Sequence, residues 1–357
     1  MSKKPEKETS SVEKLKEALF IDKKSGAAKI SDSELKKADA FCEPYKKFLN
    51  KCKTEREAAA EAARLAQKAG FTEFDVEKKY EPGDRVMVNN RGKAIILAVI
   101  GKNGVKNGAR IAAAHIDSPR LDLKPNPLYE QNDLALFKTH YYGGIKKYQW
   151  SAIPLSLHGR VVKKDGSYVD IVLGEDKDDP QFCVTDLLPH LGGEQMKKPA
   201  AKIIEGEDLN ILVGSRPFKS DKGSELVKLN ILKLLNEKYG ITEDDFTSAE
   251  LEAVPAVKAT DIGLDRSMIG AYGHDDRVCA YACFAALLQL GTPDRTAVCM
   301  LADKEEIGSE GVTGMKSAAF DTFMEDLCES WNVPLRVCYE KSFCLSADVT
   351  AAYDPHL

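Results

Sequence analysis

Polar and apolar positions divide the chain into four stretches. The first ten residues are almost wholly polar and predict a solvated lead into three helices. Ser10-Ser11-Val12-Glu13 and Ser31-Asp32-Ser33-Glu34 each place a glutamate three positions after a serine. At that spacing the two side chains satisfy each other's free backbone N–H groups at a helix start. Pro44 is expected to kink or stop the second helix, because proline has no N–H and its ring crowds the preceding turn. Thr54-Glu55-Arg56-Glu57 opens an alanine-rich third helix that closes at Gly70.

Strand patterns begin at Asp84. Arg85–Val88 and Ala94–Ile100 flank the turn Asn89-Asn90-Arg91-Gly92 and predict a hairpin. A glycine- and asparagine-rich turn leads into Arg110–Ala114, a run with little alternation that predicts a buried strand ending at His115. The pattern changes after Pro119. Residues 120–255 hold short strands and turns, including a hairpin from Leu157 to Leu173 around Asp165-Gly166, a solvated loop at Lys219–Gly223, and a helix from Glu225 to Tyr239 closed by Gly240. Strand–helix alternation then resumes. Arg277–Leu290 predicts a buried helix, Thr296–Ala302 a buried strand and Leu335–Tyr339 a further strand. The two outer stretches together predict an α/β sandwich interrupted by an inserted domain.

A length of 357 residues fits that two-domain division. A net charge of −5 leaves no basic face, so nucleic acid is not an expected partner. The nine cysteines are odd in number, form no Cys-x-x-Cys pair and in part lie in apolar runs such as Val298–Leu301. That usage predicts reduced thiols in a cytoplasmic enzyme. The N-terminus lacks the apolar core of a signal peptide, and no apolar run is long enough to span a membrane, so no membrane partner is expected.

Four clusters carry the candidate chemistry. In His115-Ile116-Asp117-Ser118-Pro119, residues two apart on a strand face one way. Asp117 can then hold the tautomer of His115 while the other ring nitrogen binds a metal. The alternative is a strand-end histidine beside a helix-capping aspartate. In Gly273-His274-Asp275-Asp276-Arg277, one aspartate can bridge two cations while Arg277 orients or pairs with the other. Helix capping accounts for one of them but less well for both. In Asp303–Ser309, the adjacent Glu305 and Glu306 can divide the roles of metal ligand and proton acceptor, or else form an ordinary charged loop. Asp348 ends the run Cys344-Leu345-Ser346-Ala347 and can serve as a terminal ligand or simply close a strand. This mixed nitrogen and oxygen set suits Zn2+, with Co2+ or Mn2+ as further candidates. A pair of cations would neutralise the carboxylates and share a water. The chain contains no Gly-x-Gly-x-x-Gly, phosphate loop or Gly-x-Ser-x-Gly elbow.

These motifs, in this order, together with Arg120–Pro125 and Thr139–Ile145, resemble the bacterial members of the aspartyl aminopeptidase family of zinc metallopeptidases from about residue 11 onward. The resemblance implies that His115, Asp275, Glu306 and Asp348 bind two zinc ions per subunit, with Asp275 bridging and Asp276 the less favoured bridge. It further implies that Asp117 orients His115 and that Glu305 is the general base. The implied fold is a three-layer α/β/α metallopeptidase domain in two parts, 1–119 and 256–357, with an inserted, mainly β dimerisation domain at 120–255. The implied partners are peptides and copies of the chain, as dimers assembling into a larger particle. His190 in the insert either reaches a neighbouring subunit's site or is a capped or packed histidine. The implied reaction removes one N-terminal residue, and the family's name suggests an acidic one. The family's fifth ligand is a histidine far downstream of Asp348. This chain stops nine positions after Asp348, and His356 does not match the spacing, so the chain is expected to be C-terminally truncated. Two other readings share these residues: a two-metal carboxypeptidase or deacylase, and a non-catalytic assembly protein of the same fold.

Overall fold

The structure is a computed structural model and describes residues 10–21, 26–220 and 222–356. Most of the polar lead, and Asp221 within the expected loop, lie outside the described residues. The chain forms two units, divided between Pro44 and Tyr45.

In the first unit, helix α1 (Ser11–Leu19) starts with the expected reciprocal cap, in which Glu13 N donates to Ser10 Oγ at 3.2 Å and Ser10 N to Glu13 Oε2 at 2.9 Å. Ser31 and Glu34 make the same exchange at the start of α2 (Asp32–Lys51). That helix does not stop at Pro44. A proline removes one backbone bond, and the turns beyond it are anchored by Tyr45, Phe48 and Leu49, all buried.

The second unit begins within that helix and continues with α3 (Glu55–Lys68), β1 (Thr72–Glu73), β2 (Arg85–Asn90), β3 (Ala94–Val99) and β4 (Ala109–His115). Next come β5 (Arg120–Gln131), β6 (Leu134–Tyr142), β7 (Leu155–Val162), β8 (Tyr168–Leu173), β9 (Cys183–Val184), β10 (Ile211–Gly214), α4 (Leu226–Tyr239) and β11 (Ala249–Pro255). The chain ends with β12 (Thr260–Ile262), β13 (Met268–Gly270), α5 (His274–Leu288), β14 (Thr296–Ala302), α6 (Ala319–Ser330), α7 (Leu335–Lys341) and β15 (Phe343–Ser346).

One sheet has the order β1-β2-β3-β14-β4-β15, with β14 and β15 parallel to β4 on either side. Alternation along its central strands sends side chains to two cores. Ile95, Leu97, Cys299 and Leu301 meet α3 and α5 on one face. Ile96, Ala98, Val298 and Met300 meet α6 and α7 on the other. The result is a three-layer α/β/α arrangement. The second sheet, β8-β7-β11-β5-β6-β10-β9, is antiparallel throughout and shares a core with residues of α4 such as Val227. The chain passes directly from β4 into β5, so His115–Pro119 is the link between the sheets.

Two expectations need correction. Leu335–Tyr339 is a helix, not a strand. Pro334 precedes its first turn, and Leu335, Cys338 and Tyr339, at helical spacing, pack on one core. The strand comes later, at Phe343–Ser346. Helix α5 is buried along one face only, through Ala280, Phe284 and Leu287, while Val278 is exposed. No helix among the described residues is long and apolar enough to cross a membrane.

Candidate metal centre

Ligands of open α/β sheets bind beyond the carboxyl ends of parallel strands. Here β4 ends at His115, β14 leads into Asp303–Glu306, and β15 leads into Asp348. The start of α5 adds Asp275 and Asp276, which are joined by a cis peptide bond.

Asp117 is the hub of the site. Its carboxylate is completely buried and has a donor group on every side. His115 Nδ1 lies 3.2 Å from Oδ1 and 3.0 Å from the Asp117 carbonyl oxygen. Glu305 N donates to Oδ1 at 3.2 Å and Glu306 N to Oδ2 at 3.2 Å. The Tyr142 hydroxyl donates to Oδ2 at 2.7 Å. Both acceptors that hydrogen-bond the ring lie on the Nδ1 side, so Nδ1 keeps its proton and Nε2, facing the cluster, is the nitrogen a cation would take.

Nε2 is buried and has no hydrogen-bond partner among the described residues. It lies 3.2 Å from Asp275 Oδ1, 3.6 Å from Glu305 Oε2 and 3.9 Å from Asp348 Oδ1. Among the described residues, two sets of side chains converge closely enough to hold a cation, His115-Asp275-Glu306 and His115-Asp276-Asp348, with ligand atoms within 4.8 Å of one another in each. Asp276 is fully buried, and neither of its carboxylate oxygens has a hydrogen-bond partner among the described residues.

The electrostatics agree with a site built for positive charge. Burial pushes the Asp276 carboxyl up to about 6. Burial and then the charge of Asp275 push Glu306 up to about 7. Burial opposes a charged His115, but the hydrogen bond and charge of Asp117 outweigh it and bring the imidazole up to about 9. Burial would raise Asp117 too, yet its bonds from His115 and Tyr142 hold it below the usual value. An unpaired buried imidazole nitrogen and unpaired buried carboxylate oxygens are costly unless something cationic satisfies them. The residues present therefore fit divalent metal.

Arg277 does not pair with an aspartate as expected. It is fully buried, and its guanidinium donates to the carbonyls of Ile116 at 3.0 Å and Lys53 at 3.1 Å. It thus pins the strand end that carries His115. Gly273 makes room for it, since a Cβ there would lie 2.1 Å from Arg277 Nη1. His274 is engaged elsewhere, with its ring nitrogens near Tyr45 Oη and the Ile269 carbonyl. His190 is exposed in the segment after β9. His356 is exposed in a turn in which its backbone N donates to Asp354 Oδ1 at 2.8 Å. Neither belongs to the two ligand sets.

Tyr142 was not singled out from the sequence, and no spacing rule connects it to residue 117, because Asp117 lies in the link between the sheets and Tyr142 at the far end of the second strand after it. A cavity of about 360 Å3 adjoins the site, lined by Ser118, Gly144, Lys146, Trp150, Tyr272 and Asp275 among others.

The family described as aminopeptidase I zinc metalloprotease (M18) matches residues 48–357. The chain belongs to the M18 family. It is 51% identical to a Clostridium acetobutylicum protein named "Probable M18 family aminopeptidase 1", over 95% of this chain and 74% of that protein. The crystal structure of aminopeptidase I from Clostridium acetobutylicum superposes with a TM-score of 0.86 at 47% identity, covering 95% of this chain and 75% of that one. The M18 family aminopeptidase from Thermotoga maritima superposes with a TM-score of 0.89 at 41% identity, covering 94% of this chain and 74% of that one. The four motifs thus sit in an M18 zinc metallo-aminopeptidase, a hydrolase acting on peptides.

Proposed function

We propose that the chain removes single N-terminal residues, acidic ones by preference, from peptides at a two-zinc centre. The observation that supports it best is the pair of converging ligand sets around one buried, unpartnered imidazole nitrogen. One nitrogen lone pair serves one cation, and the carboxylates exceed what a single cation needs. His115, Asp275, Glu306 and Asp348 are the proposed ligands, with Asp275 bridging. Asp276 is the rival bridge, because its buried, unpaired carboxylate joins the His115–Asp348 set.

Zinc, when bound, polarises the scissile carbonyl and makes a shared water easier to deprotonate. Glu305 extends into the same space, half exposed, and is the proposed base for that proton and its donor to the leaving amine. Asp117 holds the His115 tautomer and, through two backbone N–H groups, the loop that bears both glutamates. Lys146 is the cationic side chain lining the cavity beside Asp275 and is the proposed partner for an acidic side chain.

Residues 120–255 are proposed as a dimerisation domain. Leu187, Leu188, Leu191 and Met196 are all exposed there, close to His190, which would then face a neighbouring subunit. Light scattering on the purified chain tests for the oligomer. A cytoplasmic location is proposed from the nine free cysteines.

Metal per chain, measured beside an Asp275→Ala control, tests the centre. The wild type should hold up to two chelator-removable zinc ions and the control fewer, while equal content in both would exclude the assignment. Glu305→Gln should keep its metal and lose turnover by about 100- to 10,000-fold, the usual contribution of a general base. Normal turnover in that variant would sink the proposed role. Release of N-terminal residues from free peptides, with N-acetylated peptides left intact, separates this activity from a carboxypeptidase or deacylase.

A further inference from the structure

We propose that Tyr142, carried by the antiparallel sheet, is a positioning residue of the metal centre, holding Asp117 and through it the His115 ring and the Glu305–Glu306 backbone. This rests on the reading that His115 and Glu306 hold zinc.

Three of the four groups that donate to the Asp117 carboxylate come from strand ends of the α/β/α layer: His115, Glu305 and Glu306. The fourth and shortest contact, at 2.7 Å, comes from Tyr142, the last residue of β6. It shares Oδ2 with Glu306 N, so the phenol and the metal-site loop bear on the same oxygen.

The phenol is itself held in place. Tyr142 is buried, and the Arg120 guanidinium lies 3.8 Å from its ring centroid. Arg120 is the direct register partner of Tyr142 across β5 and β6. Its own head is fixed by Glu55 at 3.1 Å, Asp122 at 2.7 Å and Glu252 at 3.3 Å. A ring whose strand partner is also its stacked cation cannot swing its hydroxyl away without disturbing that ionic cluster. The next residue reports the same close approach. Gly143 has φ +74°, and a Cβ there would sit 2.8 Å from Glu306 Oε2. The end of β6 therefore touches the site twice, through the hydroxyl on Asp117 and through the bare backbone against Glu306.

Tyr142→Phe deletes one oxygen and leaves the ring beneath Arg120. Zinc affinity by chelator competition is the primary readout, with kcat and KM measured separately. Tyr141→Phe, on the opposite side of the strand and partly exposed, is the control. The expected result is about a tenfold loss of zinc affinity, the size typical of groups that orient ligands, with kcat falling and KM changing less than twofold. Tyr141→Phe should match the wild type. Gly143→Ala should weaken zinc binding as well, by displacing Glu306. If Tyr142→Phe binds zinc and turns over like the wild type, the proposal is overturned. It is overturned equally if that variant only unfolds more readily while its zinc affinity is unchanged. Failure of the wild type itself to hold zinc would instead overturn the two-zinc reading, a result read from that one protein before any Tyr142 variant is compared.

Discussion

Replacing Asp117 by asparagine changes one atom and should damage the site out of proportion to its size. All four neighbours of the carboxylate are placed as donors: His115 and Glu305 N on Oδ1, Tyr142 and Glu306 N on Oδ2. An asparagine has one acceptor oxygen and one amide that only donates. If the amide takes the Oδ1 position, it meets the Glu305 N–H, and the His115 Nδ1–H is left with the Asp117 backbone carbonyl as its sole acceptor there. If it takes the Oδ2 position, the Tyr142 hydroxyl can rotate to accept, but the Glu306 N–H cannot. Either way one backbone donor facing the buried carboxylate is left without that partner, at a cost of about 1–3 kcal/mol. At about 1.4 kcal/mol per factor of ten, that corresponds to about 5- to 150-fold in zinc affinity, overlapping the 10- to 100-fold usual for a group that orients a ligand. Chelator competition measures the affinity, and urea unfolding followed by the fluorescence of Trp150 and Trp331 measures the stability. An Asp117→Asn protein that binds zinc within twofold of the wild type and unfolds at the same urea concentration would refute the role of Asp117 as the acceptor hub.

Two further outcomes follow from buried polar groups elsewhere. Arg277→Met should cost about 2–6 kcal/mol, because it strips the guanidinium donors from two carbonyls, those of Ile116 and Lys53; a thermal midpoint equal to the wild type would contradict the pinning role. His158 is buried, 2.8 Å from Glu57 and 3.2 Å from Glu175. Burial opposes its charge, but hydrogen bonds to Glu175 and Glu57 outweigh it and raise its pKa, while the Glu175 carboxyl, opposed by burial but favoured by His158 and Lys258, is lowered to about 2. The histidine's contribution is therefore complete below its unfolded value of about 6.5 and is lost as pH rises through its raised folded value; that of Glu175 is present above about 4.5 and is lost as pH falls toward 2. His158→Gln should accordingly lose more stability at pH 6 than at pH 9, and a pH-independent loss in urea titrations would exclude the bridge.

The parts of this structure that were legible in the sequence are those governed by local periodicity. The 85–99 hairpin, the strand ending at His115, the 296–302 strand and the reciprocal helix caps follow from residues within a few positions of each other. The four chemical clusters were visible because each ends or follows an apolar run, and the parallel strands bring those ends together. Leu335–Tyr339 misled because its five residues suit either period, and what decides it is the Pro334 start and the core beneath. Arg277 was assigned to the nearest carboxylates in sequence, whereas in space two backbone carbonyls reach it first. Tyr142 is 25 residues from Asp117, at the end of β6, and only the pairing of β5 with β6 beside the His115–Pro119 link brings them together.

That link bears on protein engineering. An insert that leaves and re-enters a host through a loop can be excised or exchanged as a module. Here the exit segment is itself His115–Pro119, and the antiparallel sheet returns a hydroxyl to the carboxylate inside it. Closing 120–255, the proposed insert, with a short linker would keep every proposed zinc ligand and still lose the donor at Asp117 Oδ2 and the Arg120 clamp behind it. Swapping inserts between relatives should succeed only when the graft carries the β5–β6 pair intact, so the smallest transplantable unit is larger than the list of ligands suggests.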